Sequence, residues 1–396
     1  MNQFQPKEIL KRSATEHLAA LSKGEYSAFE LAQESINHAK ATQDLHIFLS
    51  LDQDKILSQA KESDKRRKAG KAGRLEGIPV SVKDNIAEEN EQLTCASKFL
   101  ETYRSPYSAT VIQKLKDEGA ILFGRTNLDE FAMGSSTENS AFGVTKNPHD
   151  ISRVPGGSSG GSAASVAANV VPLSIGTDTG GSIRQPASYC GIYGLKPTYG
   201  QVSRYGAVAF ASSLDQIGPF ARSADDIALL MSVIEGHDPL DSTSYSNSVK
   251  TNPTIQTLTK QDWKKLKIGV QIPDKNELGF EESVIHACHS LIDKLTELGV
   301  QVIPIQSKLW KYSIPLYYIL ATAEASSNLA RFDGIRFGVR SRNAKGLIDL
   351  YIRSRTEGFG AEVKRRILLG TYVLSSGYYD AYYNKAAKAR TMIQSE

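Results

Sequence analysis

Cysteine is the first scarcity. The 396 residues hold three cysteines, Cys95, Cys190 and Cys288, odd in number and without a CxxC pair. These cysteines argue against a disulfide framework and a structural zinc site, and a reducing compartment fits. Long apolar runs are missing too: no stretch reaches the ~18 residues of a membrane span. The opening MNQFQPKEILKRSATEH has no apolar centre of a signal peptide. Charge of one sign is not in excess either. Lysine and arginine outnumber aspartate and glutamate by 47 to 43, and a net +4 over this length does not by itself imply nucleic-acid binding. What is present, 40% hydrophobic and 23% charged residues, is the balance of a soluble, cytoplasmic globular chain.

The patterning predicts one large α/β domain over residues 1–396, with a mixed central sheet covered by helices. Helices dominate about 1–70, a Lys/Gly/Ser-rich core occupies about 71–235, and an increasingly helical part covers about 263–396. Ser27 and Glu30 form a capping box that opens a helix through about Ala41. A short apolar run at 46–51 precedes a polar helix carrying KESDKRRKAGKAGR. The segments 78–86 and 120–127 read as buried strands, with helical spacing over 109–118 between them. Residues 134–200 are dense in Gly, Ser, Thr and Pro, yet ASVAANVV reads as a helix and PLSIGTD as a strand, so this is no tether. Ser223 and Asp226 form a second capping box, and 238–262 is a polar excursion. A strand at KIGV, a helix over 281–298 and a strand at VQVIPI follow, and beyond about Leu309 the pattern is almost wholly helical.

Gly156-Gly157-Ser158-Ser159-Gly160 fits GxSxG, but a nucleophile elbow needs a strand before its serine, and here NPHDISRVP is a loop. A phosphate-binding loop would need Gly-Lys-Ser/Thr, and Gly161 is followed by Ser162 and Ala163. Lys83 draws more interest, flanked by Val80, Val82 and Ile86. A lone strand-end lysine ordinarily reaches water or pairs with a neighbour such as Asp84. Burial would instead lower its pKa and make it a general base without any histidine. Two serine clusters could supply its hydroxyl partners: GGSSGGS from Gly156 and GTDTGGSIRQP from Gly176. In the second, Thr179, Gly180, Gly181 and Ser182 can present a row of backbone N–H groups to an oxyanion, each worth about 3 kcal/mol. The plain alternative for the pair is a tight turn and a helix cap.

VSVKDNI, VPGGSSGGSAA and GTDTGGSIRQPASYCGIYGLKPT resemble the amidase signature family, with matching spacings of 158 − 83 = 75 and 182 − 158 = 24. The resemblance implies Ser182 as nucleophile, Ser158 as proton relay, Lys83 as base and a cis Gly157–Ser158 bond. No metal or cofactor is implied in this chain. GRTNLDEFAMGSSTENSAFG, EASSNLARFDGIRFG and EVKRRILLGTYVLSSGYYDAYY are similar to one branch, the A subunits of glutamyl-tRNA(Gln) amidotransferases, from about residue 7 to the last. That branch, bacterial or organellar and cytoplasmic, hydrolyses glutamine and passes ammonia to a B subunit. The B subunit carries ATP and Mg, meets most of the tRNA and converts Glu-tRNA(Gln), commonly also Asp-tRNA(Asn). A small C subunit braces the pair. Carried over, the charged end of glutamine meets Tyr317 and Arg366, with Tyr318 and Arg365 as competitors. The basic run from Lys61 to Arg74 reads as a solvated helix end and loop. Family members continue past the equivalent of Glu396 with strands and an acidic residue that binds the substrate amine, so the resemblance implies a missing C-terminal part and a poorly soluble, weakly active chain. A free-standing small-amide amidase and an inactive assembly subunit are the rival readings.

Overall fold

The computed structural model describes residues 5–246, 251–252, 255, 257–272 and 279–396. Reciprocal caps open α1 (Ala14–Lys23) through Ser13 and Glu16, and α2 (Ala28–Ala41) through Ser27 and Glu30. The run at 46–51 contains β1 (Phe48–Ser50). Helix α3 (Gln53–Lys68) stops short of the AGKAGR expected within it, where Gly70 turns the chain at φ +70. The basic run is therefore a helix end and loop, with Arg66 paired to Glu76 and Arg74 to Glu118.

Next come β2 (Pro79–Lys83), α4 (Thr110–Asp117) and β3 (Ile121–Thr126), the strand–helix–strand unit read from the sequence, with β2 and β3 parallel. Helix α5 (Gly160–Ala167) begins inside the glycine–serine cluster and ends before the predicted ASVAANVV helix does. Its Gly160, Gly161, Ser162, Ala163 and Ala164 are all buried. Small side chains, which patterning reads as loop, let this helix lie close against the sheet. Then follow β4 (Leu173–Asp178), α6 (Arg184–Tyr189), β5 (Tyr193–Gly194), β6 (Gln216–Ala221) and α7 (Ala224–Ile234). The Ser223 hydroxyl accepts the Asp226 N–H, but the Asp226 carboxylate turns to the N–H groups of Ala14 and Thr15, so that capping box is only half formed.

The larger sheet runs β1-β3-β2-β4-β6-β5, parallel through β3, β2 and β4 and antiparallel elsewhere, the mixed sheet expected. Strands β2, β4 and β6 are buried along their whole length. Val82 lies opposite Ile175, so the carboxyl ends of β2 and β4 emerge together, where open α/β sheets place their ligands.

The chain divides into two compact units, Met1–Thr254 with Tyr317–Ala386 and Ile255–Leu316 with Ala387–Glu396. The smaller contains α8 (Lys260–Trp263), β7 (Lys267–Val270), α9 (Glu282–Glu297) and β8 (Gln301–Pro304). Its two strands pair in parallel with each other and, among the described residues, form a sheet of their own. Periodicity identifies a strand but not the sheet it joins. Of the polar excursion at 238–262, residues 247–250, 253–254 and 256 lie outside the described residues. The remaining helices are α10 (Ser313–Asn328), α11 (Leu347–Gly358), α12 (Ala361–Val373) and α13 (Lys385–Ser395). The almost wholly helical pattern expected beyond Leu309 is interrupted at 332–346, where Gly334, Gly338 and Gly346 hold positive φ. In the larger unit a second apolar cluster, including Phe99, Phe131, Phe210, Phe332, Phe359 and Val363, joins the 95–133 segment to α10 and α12.

Candidate active site

Lys83 ends β2, and its whole side chain is buried, with a relative exposure of 0%. Its Nζ lies 2.8 Å from each of three hydroxyls, Ser158 Oγ, Ser159 Oγ and Thr177 Oγ1. Asp84, the partner that a surface lysine would have used, is turned to Arg125 and Thr94. Burial pushes the Lys83 amine down to about 7, and the nearby charges of Asp129, Asp178 and Asp215 offset this only in part.

Hydrogen-bond directions constrain what this amine can do. Ser159 Oγ donates to the Thr177 carbonyl at 3.0 Å, so toward the lysine it can only accept. That uses one hydrogen of the neutral amine and leaves a second hydrogen and the lone pair for Thr177 and Ser158. Thr177 Oγ1 also receives Asn85 Nδ2 at 3.1 Å. With the second amine hydrogen on Thr177, the lone pair faces the proton of Ser158. A base needs that arrangement.

Ser158 follows a loop and precedes α5, and the Gly157–Ser158 bond is cis. The Asp129 N–H donates to the Ser158 carbonyl at 3.2 Å, and the Gly157 N–H donates to Gln185 Oε1 at 2.9 Å. The Ser159 N–H in turn reaches the Ser182 carbonyl at 3.2 Å, which ties the two serine clusters together. Ser182 is 8% exposed, against 0% for both Ser158 and Lys83. Of the three, Ser182 alone keeps any exposed surface.

The row from Thr179 to Ser182 forms the turn between β4 and α6. One member is corrected: the Gly181 N–H already donates to Asp178 Oδ1 at 2.8 Å, so Gly181 is not a free oxyanion donor. Asp178 can bind it because the same carboxylate also receives the Ile183 N–H and both arms of Arg184. Gly181 serves the backbone instead, at φ +130, where a side chain would be strained. Thr179, Gly180 and Ser182 remain as the row. Asp215 orients its start, accepting the Thr179 hydroxyl at 2.6 Å and the N–H groups of Phe210 and Ala211. Burial raises the Asp215 carboxyl to about 6 despite those bonds.

The far side of the turn meets the helical part. A Cβ on Gly180 would lie 2.5 Å from Tyr317 Cε2, so the tyrosine ring packs directly on the glycine. Tyr317 interacts with the Arg366 guanidinium, and burial pushes its hydroxyl up to about 12. Arg366, on α12, is 6% exposed. Its Cζ stands 5.5 Å from the Phe210 ring centre and 5.6 Å from that of Tyr318, and its Nε donates to Glu362 Oε1 at 2.7 Å. Arg365 is exposed and pairs with Glu362. Of the two tyrosines, Tyr317 touches the serine turn and Tyr318 supports the arginine.

Sequence reasoning missed Thr177 and Ser159 as partners of Lys83, although both lie inside the quoted motifs. It also missed Asp215, Gln185 and Glu362. Nothing local marks Asp215, because its role depends on β6 pairing with β4. Among the described residues, no group of three or more His, Cys, Asp or Glu is placed to hold a metal ion.

Comparison with known proteins is consistent with this geometry. The family described as Amidase matches residues 30–396. The glutamyl-tRNA(Gln) amidotransferase A subunit of Leptospira interrogans is 54% identical over 391 residues, covering 98% of this chain and 79% of that protein. The Legionella pneumophila protein of the same name is 52% identical over 386 residues, covering 96% and 78%. The crystal structure of the glutamyl-tRNA(Gln) amidotransferase A subunit from Thermotoga maritima superposes with a TM-score of 0.74 at 40% identity, covering 97% of this chain and 75% of that one. The native peptide amidase of Stenotrophomonas maltophilia gives 0.78 at 28% identity, covering 95% and 79%. The chain belongs to the amidase family, in the branch of the glutamyl-tRNA(Gln) amidotransferase A subunits.

Proposed function

We propose that this chain is the glutamine-hydrolysing A subunit of a tRNA-dependent amidotransferase. The observation that carries the reading is the buried Lys83 amine, held near neutrality and 2.8 Å from Ser158. Ser182 attacks the carboxamide carbon of glutamine. Its proton passes to Ser158 as the Ser158 proton passes to Lys83. Backbone N–H groups of Thr179, Gly180 and Ser182 stabilise the oxyanion. As the tetrahedral intermediate collapses, the proton returns from Lys83 through Ser158 to the leaving nitrogen, and ammonia departs. Water, deprotonated by the same relay, then attacks the acyl-enzyme and releases glutamate.

Arg366 binds the α-carboxylate of glutamine in this reading, with Tyr317 closing the turn over the substrate; a guanidinium fork suits a carboxylate bidentately. The ammonia serves a B subunit, which binds ATP, Mg and most of the tRNA and converts Glu-tRNA(Gln) to Gln-tRNA(Gln), and Asp-tRNA(Asn) by the same chemistry. A small C subunit completes a heterotrimer in the cytoplasm. This chain itself uses no cofactor. Among the described residues no helix is long and apolar enough to cross a membrane.

Ammonia release from glutamine, measured with and without the B and C partners, tests the proposal. An electrophilic glutamine analogue should add its mass to the peptide containing Ser182, and Ser182→Ala should abolish both labelling and release. Labelling on Ser158 would overturn the assignment of roles. Equal turnover of glutamine and simple amides, independent of the partners, would favour a free-standing amidase.

A further inference from the structure

Glu130 is the most conspicuous acid outside the catalytic constellation. It is 3% exposed and lies in the segment between β3 and the Gly/Ser region. Both carboxylate oxygens accept the Gly360 N–H, at 2.9 Å and 3.2 Å, and one also accepts the Ser97 hydroxyl. Gly360 is the N-cap of α12, the helix that carries Arg366. A Cβ on Gly360 would lie 2.3 Å from Glu130 Oε2, so a glycine there lets the carboxylate approach the helix end. The residue before Glu130 is Asp129, whose N–H holds the Ser158 carbonyl. The residue after it is Phe131, whose ring packs at 5.0 Å from Phe332 and 5.6 Å from Phe359. Three consecutive residues thus bind the relay serine, the start of α12 and the apolar cluster beneath α12.

We infer that Glu130 is a positioning residue for substrate recognition: by capping α12 it fixes where Arg366 stands relative to Ser158 and Ser182. A carboxylate at a helix N-terminus satisfies a donor that would otherwise be unpaired and opposes the positive end of the helix dipole. Arg366 lies six residues beyond Gly360, about 9 Å along the axis of a rigid helix. A shift at the cap therefore carries through to the guanidinium. Bidentate grip of a carboxylate tolerates little displacement, whereas the reacting carboxamide is held by the turn itself. Loss of the cap should accordingly weaken glutamine far more than an amide without an α-carboxylate. Burial raises the Glu130 carboxyl to about 7 while the Ser97 and Gly360 bonds pull it down.

The inference rests on the proposal that Arg366 holds the α-carboxylate, and the test separates the two. Glu130→Gln keeps the shape and one acceptor oxygen but removes the charge. In the full chain, with its partner subunits where activity needs them, it should raise the glutamine KM by roughly threefold to tenfold. It should leave kcat and the KM for an uncharged small amide within about twofold. Arg366→Ala should also raise the glutamine KM, and adding Glu130→Gln to it should then change little, because both substitutions act through one contact. Glutamine Kd by calorimetry gives the same readout where turnover is too slow, and a melting curve confirms that each variant is folded. If Arg366→Ala weakens glutamine and Glu130→Gln does not, the inference about Glu130 fails alone. It fails equally if Glu130→Gln impairs both substrates alike, or if its effect adds in full to that of Arg366→Ala. If Arg366→Ala leaves glutamine untouched, the proposed grip of the α-carboxylate fails first, and Glu130 loses its role in recognition with it.

Discussion

The larger unit buries two cations at the ends of one site and treats them in opposite ways. Lys83 has only hydroxyls and a carbonyl within reach, and burial brings its amine down to about 7. Arg366 is nearly as buried but has a carboxylate at 2.7 Å and two aromatic faces against its guanidinium. Removing a charge from water is costly unless a counter-charge or a π face replaces the solvent. Without either, a lysine discharges, whereas a guanidinium does not give up its proton in a protein. The proposed chemistry exploits the difference. A base must be able to hold its proton or lose it near working pH, and an anchor for a carboxylate must never lose it.

The comparison breaks most sharply at Lys83. Lys83→Arg installs a group that does not give up its proton in a protein. Glutamine hydrolysis should fall by about a hundredfold to ten-thousandfold, the usual value of a positioned acid–base group. The wild-type kcat/KM should climb as pH rises through about 7, since the neutral amine is the active form. Substantial turnover in Lys83→Arg, or an acid limb unchanged in whatever activity it retains, would show that another group is the base.

Arg366 offers the converse test. Arg366→Lys keeps the charge and loses the fork and the stacking surface. A hydrogen bond to a charged group contributes about 1.5–3 kcal/mol, so the glutamine KM should rise by about tenfold, with less change for an uncharged amide. An equal loss on both substrates would instead mark Arg366 as structural.

The two ends differed as much in how far the sequence revealed them. Lys83, Ser158 and Ser182 stand in glycine- and serine-rich motifs whose composition is odd for a linker, and resemblance to a family orders them. Their geometry needs only neighbouring strands and one short helix. The arginine end is assembled from the segment before β6, α10 and α12, so no local pattern could separate Arg366 from Arg365. Burial separates them: Arg366 is enclosed and Arg365 is exposed. The start of α5 was misread because a helix of glycine, serine and alanine has little hydrophobic periodicity, although it is almost wholly enclosed. In the smaller unit the strand–helix–strand order was legible, but the patterns of β7 and β8 do not specify which sheet they join.

Stability sharpens the contrast more gently. In the native chain Lys83 is neutral above about 7, whereas in the unfolded chain it keeps its proton up to ~10.4. Between those values unfolding takes up a proton, so this residue's contribution to stability improves as pH rises. Below about 7 both states are charged and the full penalty of burying the ammonium remains. Lys83→Met removes the titration. Melting curves at pH 7 and pH 9 should therefore show the wild type gaining on Lys83→Met at the higher pH. Parallel behaviour of the two proteins would mean that the amine titrates as it does in water.

The smallest effect asks what holds the guanidinium once its charge is secured. Glu362 accepts Arg366 Nε at 2.7 Å, yet it also binds Arg365 and lies partly open to solvent. Glu362→Gln preserves an acceptor oxygen at the same place, and the Phe210 and Tyr318 faces still flank the arginine at 5.5 Å and 5.6 Å. A cation over an aromatic face gains about 0.5–2 kcal/mol, depending on how far it is desolvated. Two such faces should keep the side chain in place, so Glu362→Gln should raise the glutamine KM by no more than about threefold. Removing one face as well should expose the division of labour. The double variant Glu362→Gln with Tyr318→Leu should exceed the product of the single effects, because each support covers for the other. If Glu362→Gln alone matches Arg366→Lys, the carboxylate and not the rings holds the arginine.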